Sequence, residues 1–263
     1  MKQEIKSEGK CLFCGSTFAK ASIIRHLQTH LAQKAKDGQK GLSFLVKIEA
    51  DPSYGISQHF LSLWVDGDAS MGDVDGFLRD IWLECCDHQS SFTNPKNRRQ
   101  GGIVLDIRKV QDFLQNGKIV EFAKVMEGSN GEVSMSQETS KVFQKGLKLK
   151  YEYDFGSSTK LLLTVIQEYP FKADKDIVLL SRNEPLEILC NMCGKEPATQ
   201  LCTVHDWNED SLFCEKCAKE HAKTCPDFEE YAAMPVVNSP RMGVCAYEGG
   251  CIDTERDGVF VKK

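Results

Sequence analysis

No apolar run in these 263 residues approaches the ~18 consecutive residues a helix needs to cross a bilayer, so no membrane span is expected. The opening stretch, residues 1–6, lacks the hydrophobic core of a signal peptide, which predicts a cytoplasmic protein with no membrane partner. No glycine-rich phosphate loop or catalytic loop accompanies Asp154-Phe155-Gly156, so that triplet is not part of a kinase signature. Cysteine, by contrast, is plentiful: there are 12, with 6 histidines. In a secreted chain this would suggest disulfides, but in a reducing compartment Cys-x2-Cys pairs interleaved with histidines point to zinc.

Four such pairs follow one another: Cys190-x2-Cys193, Cys202-x2-His205, Cys214-x2-Cys217 and His221-x3-Cys225. Two ligands separated by two or three residues can be presented to one ion by a single tight turn, and zinc takes four in a tetrahedron. Local pairing would give two beads on a string. Alternate pairing interleaves them, with Cys190, Cys193, Cys214 and Cys217 on one ion and Cys202, His205, His221 and Cys225 on the other. The interleaved scheme is expected, because the first and third pairs have a zinc-ribbon spacing. The spacing resembles a B-box, and that resemblance implies a protein partner for residues 188–228.

Near the amino terminus, Cys11-x2-Cys14-x11-His26-x3-His30 resembles a C2H2 zinc finger, with Phe18 and Ile23 as its small core and a loop one residue shorter than usual. His26 and His30 share one face of a helix expected over residues 20–35. Residues 1–40 carry eight Lys or Arg against three acids, whereas 41–188 and 189–263 each have a net charge of −5. A basic arm on an acidic body fits a polyanion, DNA or RNA, meeting the arm alone, or a solvated terminus. If the finger reads DNA as its family can, the base-facing positions are Ala19, Ser22 and Arg25, and only Arg25 has the fork suited to guanine. Lys10, Lys20, Lys34, Lys36 and Lys40 would add sequence-blind phosphate contacts. The alternative is a finger that docks on protein. Residues 31–41 end the helix and turn polar and glycine-punctuated, so residues 1–36 are expected to move on a linker at 37–41.

The body, residues 42–187, reads as α+β. Leu42, Phe44, Val46 and Ile48 alternate as a strand, and residues 59–65 read as a second. Val74, Phe77, Leu78, Ile81, Trp82 and Cys85 then fall at helical spacing, with Asp73 placed to cap the start. Leu147, Leu149, Tyr151, Tyr153 and Phe155 define one face of a strand that turns at 156–158 and returns over 160–169 as an antiparallel hairpin. One more strand is expected over 176–181. Three segments, 59–65, 82–92 and 151–159, resemble the plasmid pRiA4b ORF-3 family, also labelled IS1096 TnpR-like. The zinc module and residues 235–249 resemble the extension some members carry, with His205 standing where that extension shows cysteine. The resemblance implies a fold and no activity. Residues 94–140 look longer than the family's equivalent; they carry the basic group Lys96, Arg98 and Arg99, a solvated loop or a second phosphate contact, and a helical pattern from Val110 to Met126.

The resolvase flavour of that label finds no support, because arginines are few and scattered and neither recombinase pattern is visible. A metal-dependent nucleic-acid-processing enzyme would need carboxylates around an open metal; Asp66, Asp68, Asp87 and His88 are the candidates, although Asp66-Gly67-Asp68 is also an ordinary turn. His59 is expected on a strand with its polar atoms satisfied. Cys85, Cys86, Cys245 and Cys251 fall outside the zinc pairs. Cys245 would need a positive field to react, with Arg241 the near candidate, while residues 229–263 are otherwise expected to fold back on the core through Pro235, Val236, Val237 and Tyr247. The expected protein is therefore a non-catalytic adaptor scaffolded by three structural zinc ions, touching nucleic acid through the finger, a protein through the second module, or both.

Overall fold

The computed structural model describes residues 5–35, 38–53, 56–96, 131–205 and 211–261. It begins with a short hairpin, β1 (Glu8–Lys10) and β2 (Thr17–Ala19), followed by α1 (Ile23–Lys34). The chain then enters the central sheet at β3 (Lys40–Ala50) and returns as β4 (Phe60–Asp66). Residues 40 and 41, expected in a linker, therefore already belong to a strand. Next comes α2 (Met71–Leu78), started by a reciprocal cap: Ser70 Oγ accepts from the Asp73 backbone N–H at 3.1 Å, and Asp73 Oδ2 accepts from that of Ser70 at 2.7 Å. A single π-helical turn, Arg79–Leu83, carries on the apolar pattern through Ile81 and Trp82.

The rest of the body comprises β5 (Ser90–Thr93), β6 (Glu132–Val133), α3 (Thr139–Val142), β7 (Lys148–Tyr153), β8 (Thr159–Phe171) and β9 (Ile177–Arg182). The seven strands run β6-β5-β7-β8-β3-β4-β9, every neighbour antiparallel, with α2, the π-helical turn and α3 packed on one face; the fold is α+β. Asp154 ends β7 with a positive φ of 62°, so the chain leaves the pleat there and Phe155, expected on the buried face, is 54% exposed. The helical pattern over 110–126, with Arg98 and Arg99, lies outside the described residues.

The two faces of the sheet explain why β4 is buried at every position. Leu61, Leu63 and Val65 meet Phe44, Val46, Ile48, Val74, Leu78, Ile81 and Trp82 on the helical side. Their alternates Phe60 and Trp64 point the other way, where they meet Leu45 of β3 and Ile23, Leu27 and Leu31 of α1. The amino-terminal finger thus covers the second face. A register shift opposite Leu45 and Val46 contributes to this: Leu161, Leu163 and Val165 of β8 face the helices, but after one extra residue Tyr169 and Phe171 face the finger.

Docking of the finger is extensive and overturns the mobile tether expected from sequence. The backbone N–H of Leu12 donates to Leu180 O at 2.9 Å, Gly9 bridges Asn183, and Ser7 Oγ donates to Gln58 O at 2.7 Å. A Cβ on Gly9 would lie 2.6 Å from Phe60 Cζ and 2.7 Å from Ser181 Oγ, so only a glycine lets β1 approach this closely. A polar linker says nothing about the apolar stripe on the helix before it, and that stripe decides the outcome.

The carboxyl-terminal part contains β10 (Gln200–Cys202), β11 (Leu212–Phe213), α4 (Glu215–Ala222) and β12 (Ala233–Pro235), with β10 between β11 and β12 in a three-stranded antiparallel sheet. The tail beyond folds back, burying Val236, Val237 and Tyr247. Two buried arginines lock it. Arg182 donates to Asp257 Oδ1 at 2.6 Å and to Asn238 O at 2.6 Å; Arg241, on the tail itself, donates to Asp154 Oδ2 at 2.9 Å. Ser239 Oγ donates to Trp82 O at 2.7 Å, and a Cβ on Gly250 would strike Ile81 O at 2.5 Å.

Candidate metal centres

The Cys-x2-Cys pairs at 11–14 and 190–193 are built by the same turn. The N–H of Gly15 donates to Cys11 O at 2.8 Å and that of Gly194 to Cys190 O at 2.9 Å, with φ of +76° and +62° at the two glycines. The positive φ reverses the chain directly after the second cysteine and leaves both thiols on one side. The second half of each site comes from a helix. In the finger, His26 and His30 lie one turn apart on α1; in the second module, Cys214 caps α4, whose body carries Cys217 and His221.

These elements gather Cys11, Cys14, His26 and His30 in one cluster, Cys190, Cys193, Cys214 and Cys217 in a second, and Cys202, His205, His221 and Cys225 in a third. The pairs of the carboxyl-terminal module therefore alternate rather than join locally. Within each cluster the donor atoms all lie within 4.8 Å of one another. Cys14 Sγ is 3.2 Å from His26 Nε2, and Cys193 Sγ is 4.0 Å from Cys214 Sγ. A tetrahedron with ~2.3 Å metal–sulfur bonds has edges of about 3.8 Å, so these clusters are near the size an ion would impose.

Electrostatics indicate the same occupant. Burial pushes the thiols of Cys11 and Cys202 up and that of Cys217 up to about 12, so on their own they stay protonated. Cys193 runs the other way: the backbone N–H groups of Glu196 and Lys195 hold its thiol down to about 6. Buried sulfurs of mixed tendency packed this closely need a cation to become thiolates together. His221 supplies a further sign. Its ring stacks on Phe213 at 4.2 Å and is buried, yet Nε2 has no hydrogen-bond partner, as an atom aimed at an ion would not. The donor set fits divalent metal ions.

A fourth cluster brings together Cys85, Cys86, His88 and Cys245. Sequence spacing left these three cysteines unassigned, because Cys245 lies 157 residues beyond His88. The local signal was Cys85-Cys86-x-His88, three donor residues within four positions.

No family model matches this chain, and no curated protein does. Among solved structures, it resembles the crystal structure of the protein of unknown function MM3350 from Methanosarcina mazei Go1, with 15% identity, a TM-score of 0.35, and coverage of 54% of this chain and 68% of that one.

The other sequence candidates are dispersed. Asp66 is buried, and its oxygens accept from the backbone N–H groups of Asp68 at 3.0 Å and Ala173 at 2.8 Å. Asp68 pairs with Lys172 at 2.5 Å, and Asp87 faces Arg79 at 3.4 Å. No carboxylate joins a metal-type cluster among the described residues. His59 stands just before β4 and is only half satisfied: its Nδ1 donates to Ile56 O at 3.0 Å, whereas Nε2 is buried without a partner, and desolvation lowers its pKa to about 4. Arg241 does not activate Cys245; it donates to Cys85 Sγ at 3.3 Å and Asp154 Oδ2 at 2.9 Å, lying over the Tyr153 ring.

Among the nucleic-acid candidates, Lys20 pairs with Glu49 at 3.1 Å and donates to Ser57 O, while Lys34 pairs with Asp174 and sits over the Trp64 ring at 5.1 Å. Both hold the finger to the body. Ser22 donates to Ala19 O, and Arg25 and Lys96 are exposed.

Proposed function

We propose that the chain is a non-catalytic adaptor scaffolded by zinc. Sulfur and imidazole donors at tetrahedral spacing suit zinc among the available divalent ions. The observation that carries this is the completeness of the clusters: each draws four ligands from the protein, leaving no position for a reacting water. The ions hold shape, and the work is done by surfaces. The ORF-3-like resemblance of residues 59–65, 82–92 and 151–159 supports the same proposal, a body that serves as a platform without chemistry, in the cytoplasm.

A protein partner on the B-box-like module is the first reading. Met192 and Val204 there, and Tyr231 just beyond it, are exposed at 54%, 42% and 65%, and its surroundings are acidic rather than phosphate-seeking. Nucleic acid is the second, favoured by Arg25 standing clear of the body on α1 while the neighbouring lysines hold the finger in place. A pull-down with the zinc-replete full chain, with bound protein identified and bound nucleic acid sequenced, tests both. A protein lost on Met192→Asp supports the first reading, nucleic acid lost on Arg25→Ala supports the second, and recovery of neither sinks the adaptor.

A further inference from the structure

The cluster at Cys85, Cys86, His88 and Cys245 lies outside the spaced pairs that mark the other three, yet its geometry is of the same kind. His88 Nε2 is 3.3 Å from Cys245 Sγ, Cys86 Sγ is 3.9 Å from Cys245 Sγ, and all four donor atoms fall within 4.8 Å of one another. The segment 85–88 follows the π-helical turn, and Cys245 arrives on the tail, so the cluster joins two parts of the chain that the sheet alone does not connect.

Three further observations point to a ligand here. Five non-glycine residues among those described have a positive φ, and four of them surround this cluster: Asp87 at 56°, Asp154 at 62°, Cys245 at 49° and Ala246 at 51°. Such conformations cost ~1–3 kcal/mol each for residues with a Cβ and persist where the surroundings fix them, often at binding sites. Second, the fully buried Arg241 donates to Cys85 Sγ at 3.3 Å, placing a fixed positive charge on a sulfur that would carry a negative one as a ligand. Third, Arg241 is itself held by the buried Asp154, whose Oδ2 accepts from it at 2.9 Å, so the positive charge beside Cys85 is fixed in place.

We propose that Cys85, Cys86, His88 and Cys245 bind a fourth zinc ion, which staples the carboxyl-terminal tail to the central sheet and exchanges more readily than the other three. On loading, three sulfur–zinc bonds and one nitrogen–zinc bond form, and the thiol protons pass to solvent. Ready exchange follows from accessibility: none of these four donors is buried, whereas each other cluster contains at least one buried cysteine. A disulfide between Cys86 and Cys245 is the competing use of the same sulfurs.

The test uses the reduced, zinc-replete full chain. Elemental analysis is expected to give four ions for the native chain and three for Cys86→Ser/Cys245→Ser, a variant that removes only exposed sulfurs, and three again for His88→Ala. A mild chromogenic chelator is expected to take one equivalent from the native chain in a fast phase absent from both variants. Equal metal content in native chain and variants overturns the proposal, as does a native chain that loses two mass units at Cys86 and Cys245 and holds no fourth ion. Because the readout is a difference of one ion, a shortfall at the other clusters, which would damage the adaptor reading, lowers native chain and variants alike and is told apart from failure here.

Discussion

Leu27→Ala separates a docked finger from a tethered one. The expected core of the isolated finger is Phe18 and Ile23, and Leu27 is apart from it; on a mobile tether it would face water and its truncation would be nearly silent. In the structure Leu27 is fully buried, one of a group with Leu45, Phe60, Trp64 and Leu180 of the sheet. Burying a leucine contributes ~1.5–3 kcal/mol, and truncation into a cavity that collapses incompletely costs ~2–5 kcal/mol. A loss near 3 kcal/mol shifts the docking equilibrium by about two orders of magnitude. Hydrogen exchange of the Leu12 amide, which donates to Leu180 O across the interface, reports that equilibrium directly. Exchange is expected to speed up by about that factor in zinc-replete protein while the metal content stays unchanged. An unaltered Leu12 rate together with an unaltered denaturation midpoint would refute the docked arrangement.

The tail lock gives a second prediction: Asp257→Ala leaves the buried Arg182 with Asp253 as its remaining, more distant carboxylate and should destabilise by ~3–5 kcal/mol in urea, whereas replacing both partners, Arg182→Met/Asp257→Leu, should cost much less. His59 gives a third. Its folded-state pKa of about 4 lies below the ordinary 6.5, so the unfolded chain binds the extra proton first; stability is full above about pH 6.5 and declines as pH falls toward 4, by up to ~3 kcal/mol. Comparing native and His59→Leu denaturation midpoints across that window isolates the effect, and parallel profiles would show that His59 does not titrate this way. Metal removal gives a fourth, because the core of the second module is largely the ligands themselves, Cys190, Cys202, Cys214, Cys217 and Cys225, around Phe213 and Phe228. Under a strong chelator residues 190–232 should become protease-sensitive while amides of β3, β4 and β8 stay protected.

Much of the candidate site was legible because metal ligation is a local code. Cys11-x2-Cys14 and Cys190-x2-Cys193 announce a turn, Gly15 and Gly194 complete it, and His26-x3-His30 lies one helical turn apart whatever surrounds it. The strands were legible for the same reason, since Leu149, Tyr151 and Tyr153 alternate with lysine and glutamate on a sheet with one wet face there. Phe155 was misplaced because Asp154 adopts a backbone conformation that a period-two pattern cannot register.

Spacing by itself thus pointed to the twelve paired cysteines and histidines that cluster in the structure, to their alternation and to the antiparallel hairpin of the body. Tertiary structure alone decided what those parts meet. Leu27 and Leu31 found Phe60 and Trp64, Arg241 found Asp154 rather than Cys245, and Cys245 found His88 across 157 residues. The physical reason is that short-range geometry is fixed by bond lengths and the helical or pleated repeat, whereas the coming together of distant side chains depends on the path of the whole chain and on which apolar faces remain uncovered once the sheet has formed.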